Sequence, residues 1–137
     1  MHRKIISWGL SFAALSVLLG AFGAHALKAM VSSDQLQIFE TGVRYQFMHA
    51  MALIVLSIYS QRQDLGIGEQ KGIGWAAHFF IVGNILFSGS LYLLTILSSA
   101  DHPLKRFIGP ITPLGGLCFI LGWSFWLRVV YLNKVDK

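Results

Sequence analysis

His25, Glu40, Arg44 and His49 can titrate, pair or ligate, and they stand between Gly20 and Leu53, where two stretches of membrane-type sequence approach each other. Ionisable groups in or near hydrocarbon are costly, so each position calls for a physical reason. Glu40 and Arg44 are four residues apart, the spacing of an interfacial ion pair on one helix face. Thr41, Tyr45 and His49 recur at i, i+4 and i+8, as do Asn84, Ser88 and Tyr92, so each trio makes a polar stripe along its helix.

The same residues exclude most catalytic readings. His25 and His49 could share a metal or haem only if packing brought them together, and no HxxxH, ExxH or CxxCH spacing occurs. There is no GxSxG elbow. Cys118 is the only cysteine and lies in an apolar run without an adjacent base, where a thiol behaves as a small hydrophobe. Gly115 and Gly116 lie in membrane sequence, so they read as a helix-packing site rather than a phosphate loop. The expectation is no enzyme, no catalytic residue, no metal and no cofactor.

The elements that must position these groups are apolar helices. The chain has 137 residues, 55% hydrophobic and 12% charged, against about 25% charged in a soluble domain. Mean hydropathy is +0.61. Residues 5–24, 45–60, 72–100 and 107–127 contain no Asp, Glu, Lys or Arg. A span needs about 20 residues, so these runs predict four transmembrane helices, at about 5–24, 43–60, 74–98 and 107–128. The segment from Asp34 is also helix-compatible, because Leu36, Phe39, Val43 and Phe47 recur at helical spacing, with Ser33 or Asp34 as the cap. Pro110 and Pro113 begin the fourth run, and their missing amides are best tolerated in a first turn or at a kink. Short connections make neighbours antiparallel. The predicted architecture is therefore all-α, one integral-membrane domain over 1–137, an antiparallel bundle of four transmembrane helices.

The first run has a competing reading as a signal peptide, since His2, Arg3 and Lys4 precede it and Ala24-His25-Ala26 is an A-x-A site. Its length favours a retained helix, as does the ladder Ser16, Gly20 and Ala24, a small-residue face useful only to a helix that stays. With four spans, Arg3, Lys4, Arg62, Lys71, Arg128, Lys134 and Lys137 share one side, and Lys28, Arg44, Lys105 and Arg106 the other. Seven against four predicts cytoplasmic termini. Trp8, Trp75, Trp123 and Trp126 fall toward the leaflet of the termini and read as an interfacial belt. The net charge of +5 is distributed in pairs at the edges of apolar runs, a pattern that fits anionic lipid head groups and not nucleic acid.

GAFGAHALK at 20–28, TGVRYQFMHAMAL at 41–53, FSGSLYLL at 87–94 and GPITPLGGLCFILGW at 109–123 resemble, in order, the successive signatures of the YgdD-like family of small polytopic membrane proteins. The resemblance implies a retained first helix and a four-span inner-membrane protein. It implies no activity, substrate or catalytic residue. The loop 61–71 and the basic C-terminal tail fall outside the matching phrases.

On an antiparallel bundle those four phrases share the leaflet opposite the termini. The candidate polar seam there comprises His25, Glu40, Arg44, Tyr45, His49, Asn84, Ser88, Tyr92 and Thr112. The plainer reading, which carries more weight, is that these groups are helix glue. His78 reads as packed or snorkelling, and His2 and His102 as terminus and loop residues. The favoured function is a structural or interaction protein whose Ser16, Gly20 and Ala24 face and Gly115 and Gly116 face pack internally or against another copy, as a homo-oligomer. Membrane lipids are the expected partners, and no protein partner can be named. The alternative is an oligomeric transporter, channel or lipid-handling protein using the seam in the outer leaflet.

Overall fold

The computed structural model describes residues 1–97 and 105–135, with side chains as far as 97 and over 106–131. His102, Lys105, Lys134 and Lys137 lie outside the residues whose side chains are described. All regular structure among the described residues is helical: α1 His2–His25, a 3-10 turn Leu27–Ala29, α2 Ser33–Tyr59, α3 Ile67–Gly83, a π-helical segment Asn84–Ser88, α4 Gly89–Leu97, α5 Lys105–Ile108 and α6 Ile111–Val135. The third span is thus α3, the π-helical segment and α4 in one continuous course.

The helices run past the apolar runs. His2–Ala29, Ile67–Leu97 and Arg106–Tyr131 are long and apolar enough to cross a membrane. At 27 residues, or about 40 Å, α2 is also long enough, but it is the more polar helix because it supplies most of the buried polar side chains that bond across helices. Its cap is Ser32 rather than Ser33 or Asp34. Ser32 Oγ accepts from the Gln35 amide at 3.4 Å while the Ser32 amide donates to Gln35 Oε1 at 3.0 Å, a reciprocal capping box. The fourth run, Arg106–Tyr131, starts with a break at its prolines. A turn at Gly109 and Pro110 separates α5 from α6, and Pro113 sits in the first turn of α6, where no helical partner for its nitrogen is missed.

Packing is by antiparallel pairs, α1 on α2 and α3 on α6, with α2 also lying on the π-helical segment and α4. Ile5, Gly9, Phe12, Ser16 and Gly23 form the buried face of α1. Gly9 faces Ala50 and Ile54, Gly23 faces Phe39, and Ser57 Oγ donates to the His2 carbonyl at 3.0 Å, which fixes the register along the whole pair. In the other pair, Gly72 faces Val129, Gly122 faces Phe80, Gly83 faces Phe119 and Gly115 faces Phe87. Gly115 is the least forgiving of these approaches, because a Cβ there would overlap the Phe87 backbone itself. Leu53, Leu56, Ile73, Ala76 and Phe80 fill the centre and are fully buried. Outside the spans, Arg62 Nε and Nη2 donate to the two Asp64 carboxylate oxygens at 2.9 and 2.7 Å, and this bond, then the charge, raises the guanidinium above its ordinary value.

Candidate functional site

The inward face of α2 runs through Phe39, Gly42, Gln46, His49, Leu53 and Leu56, a repeat of three and four residues that stays on one side of a helix. Gln46 is the junction of the bundle. Its Nε2 donates to the Phe12 carbonyl of α1 at 3.0 Å, and its Oε1 accepts from the Tyr92 hydroxyl of α4 at 3.0 Å. Ser16 Oγ donates to the same Phe12 carbonyl at 2.8 Å. Gly42 admits the Tyr92 ring, since a Cβ at that position would lie 2.8 Å from Tyr92 Cε1. Gln46 was not singled out from the sequence, although an amide surrounded by apolar residues was the available signal.

One turn farther along, His49 is 5% exposed and stacks on Phe119, with ring centroids 3.5 Å apart and planes 6° from parallel. Trp123 Nε1 points at His49 Nε2 at 3.3 Å, and His49 Nδ1 lies 2.8 Å from the Tyr45 carbonyl. Indole is a donor only, so Nε2 must accept, and Nδ1 must carry the proton that reaches the Tyr45 carbonyl. That assigns a neutral imidazole with both nitrogens bonded. Trp123 lies eight residues inside the Tyr131 end of the apolar stretch Arg106–Tyr131.

Asn84 and Ser88 are equally buried but differently treated. Among the described residues, Asn84 Nδ2 and Oδ1 and Ser88 Oγ find no hydrogen-bond partner, at 2% and 0% exposure. Tyr92, one turn from Ser88, donates its hydroxyl to Gln46 Oε1. Beside them, Ser90 Oγ and Thr112 Oγ1 are 2.7 Å apart and tie α4 to α6, while Thr95 Oγ1 donates to the Leu91 and Gln35 carbonyls. Ser90 and Thr95 also escaped the sequence reading.

The expected seam is therefore divided. Gln46 links Tyr92 to α1, His49 joins Trp123, and Thr112 joins Ser90. His25, Glu40 and Arg44 are exposed and take no part in these bonds. His25 Nδ1 lies 3.0 Å from the carbonyl of Ala21 on its own helix. Gly23, two residues before it, packs on Phe39, and His49 is ten residues beyond Phe39, about 15 Å along α2, so the two histidines do not meet. Glu40 and Arg44 do not form the expected ion pair. Ala24 is exposed and falls off the small-residue face, Gly20 makes ordinary contact with Val43, and Gly9 and Gly23 provide the close approaches. Gly116 is not pressed by its neighbours, the nearest being Phe87 at 3.8 Å. Among the described residues, no group of three His, Cys, Asp or Glu side chains could hold a metal ion.

His49 and Trp123 form the floor of a lateral groove of about 960 Å³ between α2 and α6. Tyr45, Phe87 and Phe119 continue the aromatic floor, and Met48, Met51, Leu117 and Ile120 form apolar walls. Such a surface can hold an apolar chain by contact, with stacked rings and no free polar atom on the His49 imidazole.

A family profile described as "Protein of unknown function (DUF423)" matches residues 19–116, which include α2, the whole third span and the start of α6. The chain belongs to the DUF423 family. It is 40% identical over 121 residues to the UPF0382 membrane protein YwdK of Bacillus subtilis, covering 88% of this chain and 90% of that one. To the UPF0382 membrane protein SH2409 of Staphylococcus haemolyticus it is 37% identical over 80% of each chain. To the UPF0382 inner membrane protein YgdD of Escherichia coli it is 36% identical over 86% of this chain and 85% of that one. No solved structure matches. The YgdD-like resemblance and the apolar helices thus agree on a membrane protein of a family whose function is unknown.

Proposed function

We propose that this DUF423 protein is a structural or interaction component of the inner membrane, a rigid four-helix frame that works through its lateral surface. One observation carries the reading: the centre of the bundle is filled by Leu53, Leu56, Ile73 and Phe80, while its bonded polar side chains run from helix to helix. A packed interior of that kind favours a frame over a conduit. The seven-to-four distribution of basic residues supports cytoplasmic termini, with Arg44 toward the opposite leaflet. Gly9, Gly23 and Gly115 are already used inside the chain, so a homo-oligomer would draw on other surfaces.

Reconstitution into vesicles loaded with a pH-sensitive dye tests the frame. The expected proton and small-ion leak equals that of protein-free vesicles. A saturable leak that scales with protein would overturn the reading in favour of transport. Phosphatase and fluorescent-protein fusions after Lys137 test orientation separately, with cytoplasmic fluorescence expected and periplasmic phosphatase activity contrary to it.

A further inference from the structure

The groove between α2 and α6 is lined by apolar and aromatic side chains and His49, and a cation that the frame itself does not use stands on α2 just beyond its lining. Along α2, Arg44, Met48 and Met51 are spaced by four and three residues, so the guanidinium stands on the same face as two walls of the groove, one turn nearer the helix N-terminus. Arg44 is exposed and has no carboxylate within 4.0 Å among the described residues, even though Glu40 is one turn away on that face. On the α6 side the groove runs from Pro113 through Gly116 and Leu117 to Ile120 and Trp123. Gly116 keeps it open, because a larger side chain there would project into space that Phe87 only borders.

We infer that this groove binds one anionic phospholipid, its phosphate at Arg44 and an acyl chain along the His49, Phe119 and Trp123 floor. The inference rests on the proposal that the lateral surface is the working face, and it names what that surface takes. Size favours a chain-like occupant. The volume of about 960 Å³ lies at the upper end of the roughly 300–1,000 Å³ typical of small-molecule sites. A 20-residue helix of about 10 Å diameter and 30 Å length would need roughly 2,400 Å³, so a second copy would rest on the rim without filling the floor. Charge selects among lipids: an unpaired arginine at the membrane surface attracts a phosphate-bearing anionic head group and gains less from a zwitterionic one. His49 fits a passive role in the floor, since both of its nitrogens are bonded within the protein.

The test uses the full chain in vesicles with equal mole fractions of phosphatidylglycerol and phosphatidylcholine. Retained lipid is counted by native mass spectrometry, and tryptophan quenching is read with either lipid brominated on its acyl chain. One retained phosphatidylglycerol per chain is expected, favoured about fivefold over phosphatidylcholine, the discrimination that one basic residue near the surface provides. Arg44→Gln should bring the two lipids to parity. Gly116→Phe should remove retention of both and lower the quenching that a Trp123→Phe variant assigns to Trp123. Equal retention of both lipids by the unaltered protein, or unchanged retention in Arg44→Gln and Gly116→Phe with far-UV dichroism intact, would overturn the site. The ion-leak measurement is independent: a leak with selective lipid retention removes the frame and keeps the site, and tight vesicles without retention do the reverse.

Discussion

Gln46 and His49 on α2 are buried about as deeply as Asn84 and Ser88 on the π-helical segment, but the first pair bonds every side-chain polar atom and the second bonds none among the described residues. The bonds of Gln46 reach α1 and α4 and that of His49 reaches α6, so between them the two side chains hold three neighbours. An unsatisfied buried polar group instead costs about 1–3 kcal/mol. Polar residues of similar burial therefore make opposite contributions, one set as glue between helices and the other as a penalty carried by the π turn. A π-helical turn interrupts the regular ladder of the helix, and this one lies where Gly115 lets α6 touch the backbone of Phe87.

The largest effect is expected where the π-helical segment is pinned. Gly115→Val would place side-chain carbons on the Phe87 backbone, which cannot give way as a flexible side chain can, and overpacking of this kind reaches about 3 kcal/mol. Reversible unfolding in nanodiscs should show that loss, while Gly116→Ala, whose Cβ meets Phe87 at an ordinary 3.8 Å, should be near neutral. Equal effects at both glycines would mean that the π-helical segment is not held by α6.

Opposite signs are the sharper test. Asn84→Leu replaces the amide by an apolar side chain and removes two unsatisfied atoms, so it should raise stability by about 1–3 kcal/mol. Gln46→Leu removes the acceptor that Gln46 Oε1 offers the Tyr92 hydroxyl and cuts the bond to Phe12, and should lower stability by about 1–2 kcal/mol, near the upper end for polar contacts between membrane helices. If both variants lose stability, Asn84 has a partner in the membrane and the contrast between the two pairs collapses.

These residues also show what could be read in advance. Three spans were legible because an uncharged run of membrane length is seldom anything but a helix in lipid, and the inward Asn84, Ser88 and Tyr92 stripe survives the π turn. The Thr41, Tyr45 and His49 stripe was misleading, since steps of four drift around a helix and the buried line alternates threes and fours through Gly42 and Gln46. Tyr45 is 38% exposed on the groove side as a result. The caps and ends were less legible: hydropathy marks where a helix is apolar, whereas Ser32 and Gln35 begin α2 by hydrogen bonds outside the apolar run. Trp123 could be assigned to His49 only once α2 and α6 had been set side by side.

A smaller effect separates stacking from hydrogen bonding at that contact. Trp123→Phe keeps an aromatic ring beside Phe80 and removes the only N–H that reaches His49 Nε2 among the described residues. The expected loss is about 0.6 kcal/mol, the average for a polar contact between membrane helices. The indole N–H stretch should also shift between the unaltered protein and a His49→Phe variant. A loss of several kcal/mol would show that indole packing, and not the bond, holds α6 to α2.

The smallest effect is expected at the exposed end of α2, and it bears on both the frame and the groove. Glu40 and Arg44 have the spacing of a helical ion pair, and such pairs contribute about 0.3–0.5 kcal/mol when formed. In the structure they are exposed and form no ion pair with each other, so a double-mutant cycle of Glu40→Gln and Arg44→Met in phosphatidylcholine nanodiscs should give a coupling energy below that range. Phosphatidylglycerol changes only one arm of the cycle. If Arg44 holds a lipid phosphate, Arg44→Met alone should lose the stabilisation that added phosphatidylglycerol confers, since a ligand bound to the folded state raises its apparent stability by mass action. Glu40→Gln should keep that stabilisation or increase it slightly, because it removes a negative charge from the same face. Coupling of the full ion-pair size in phosphatidylcholine would mean that Arg44 is already occupied by Glu40, leaving no free cation beside the groove.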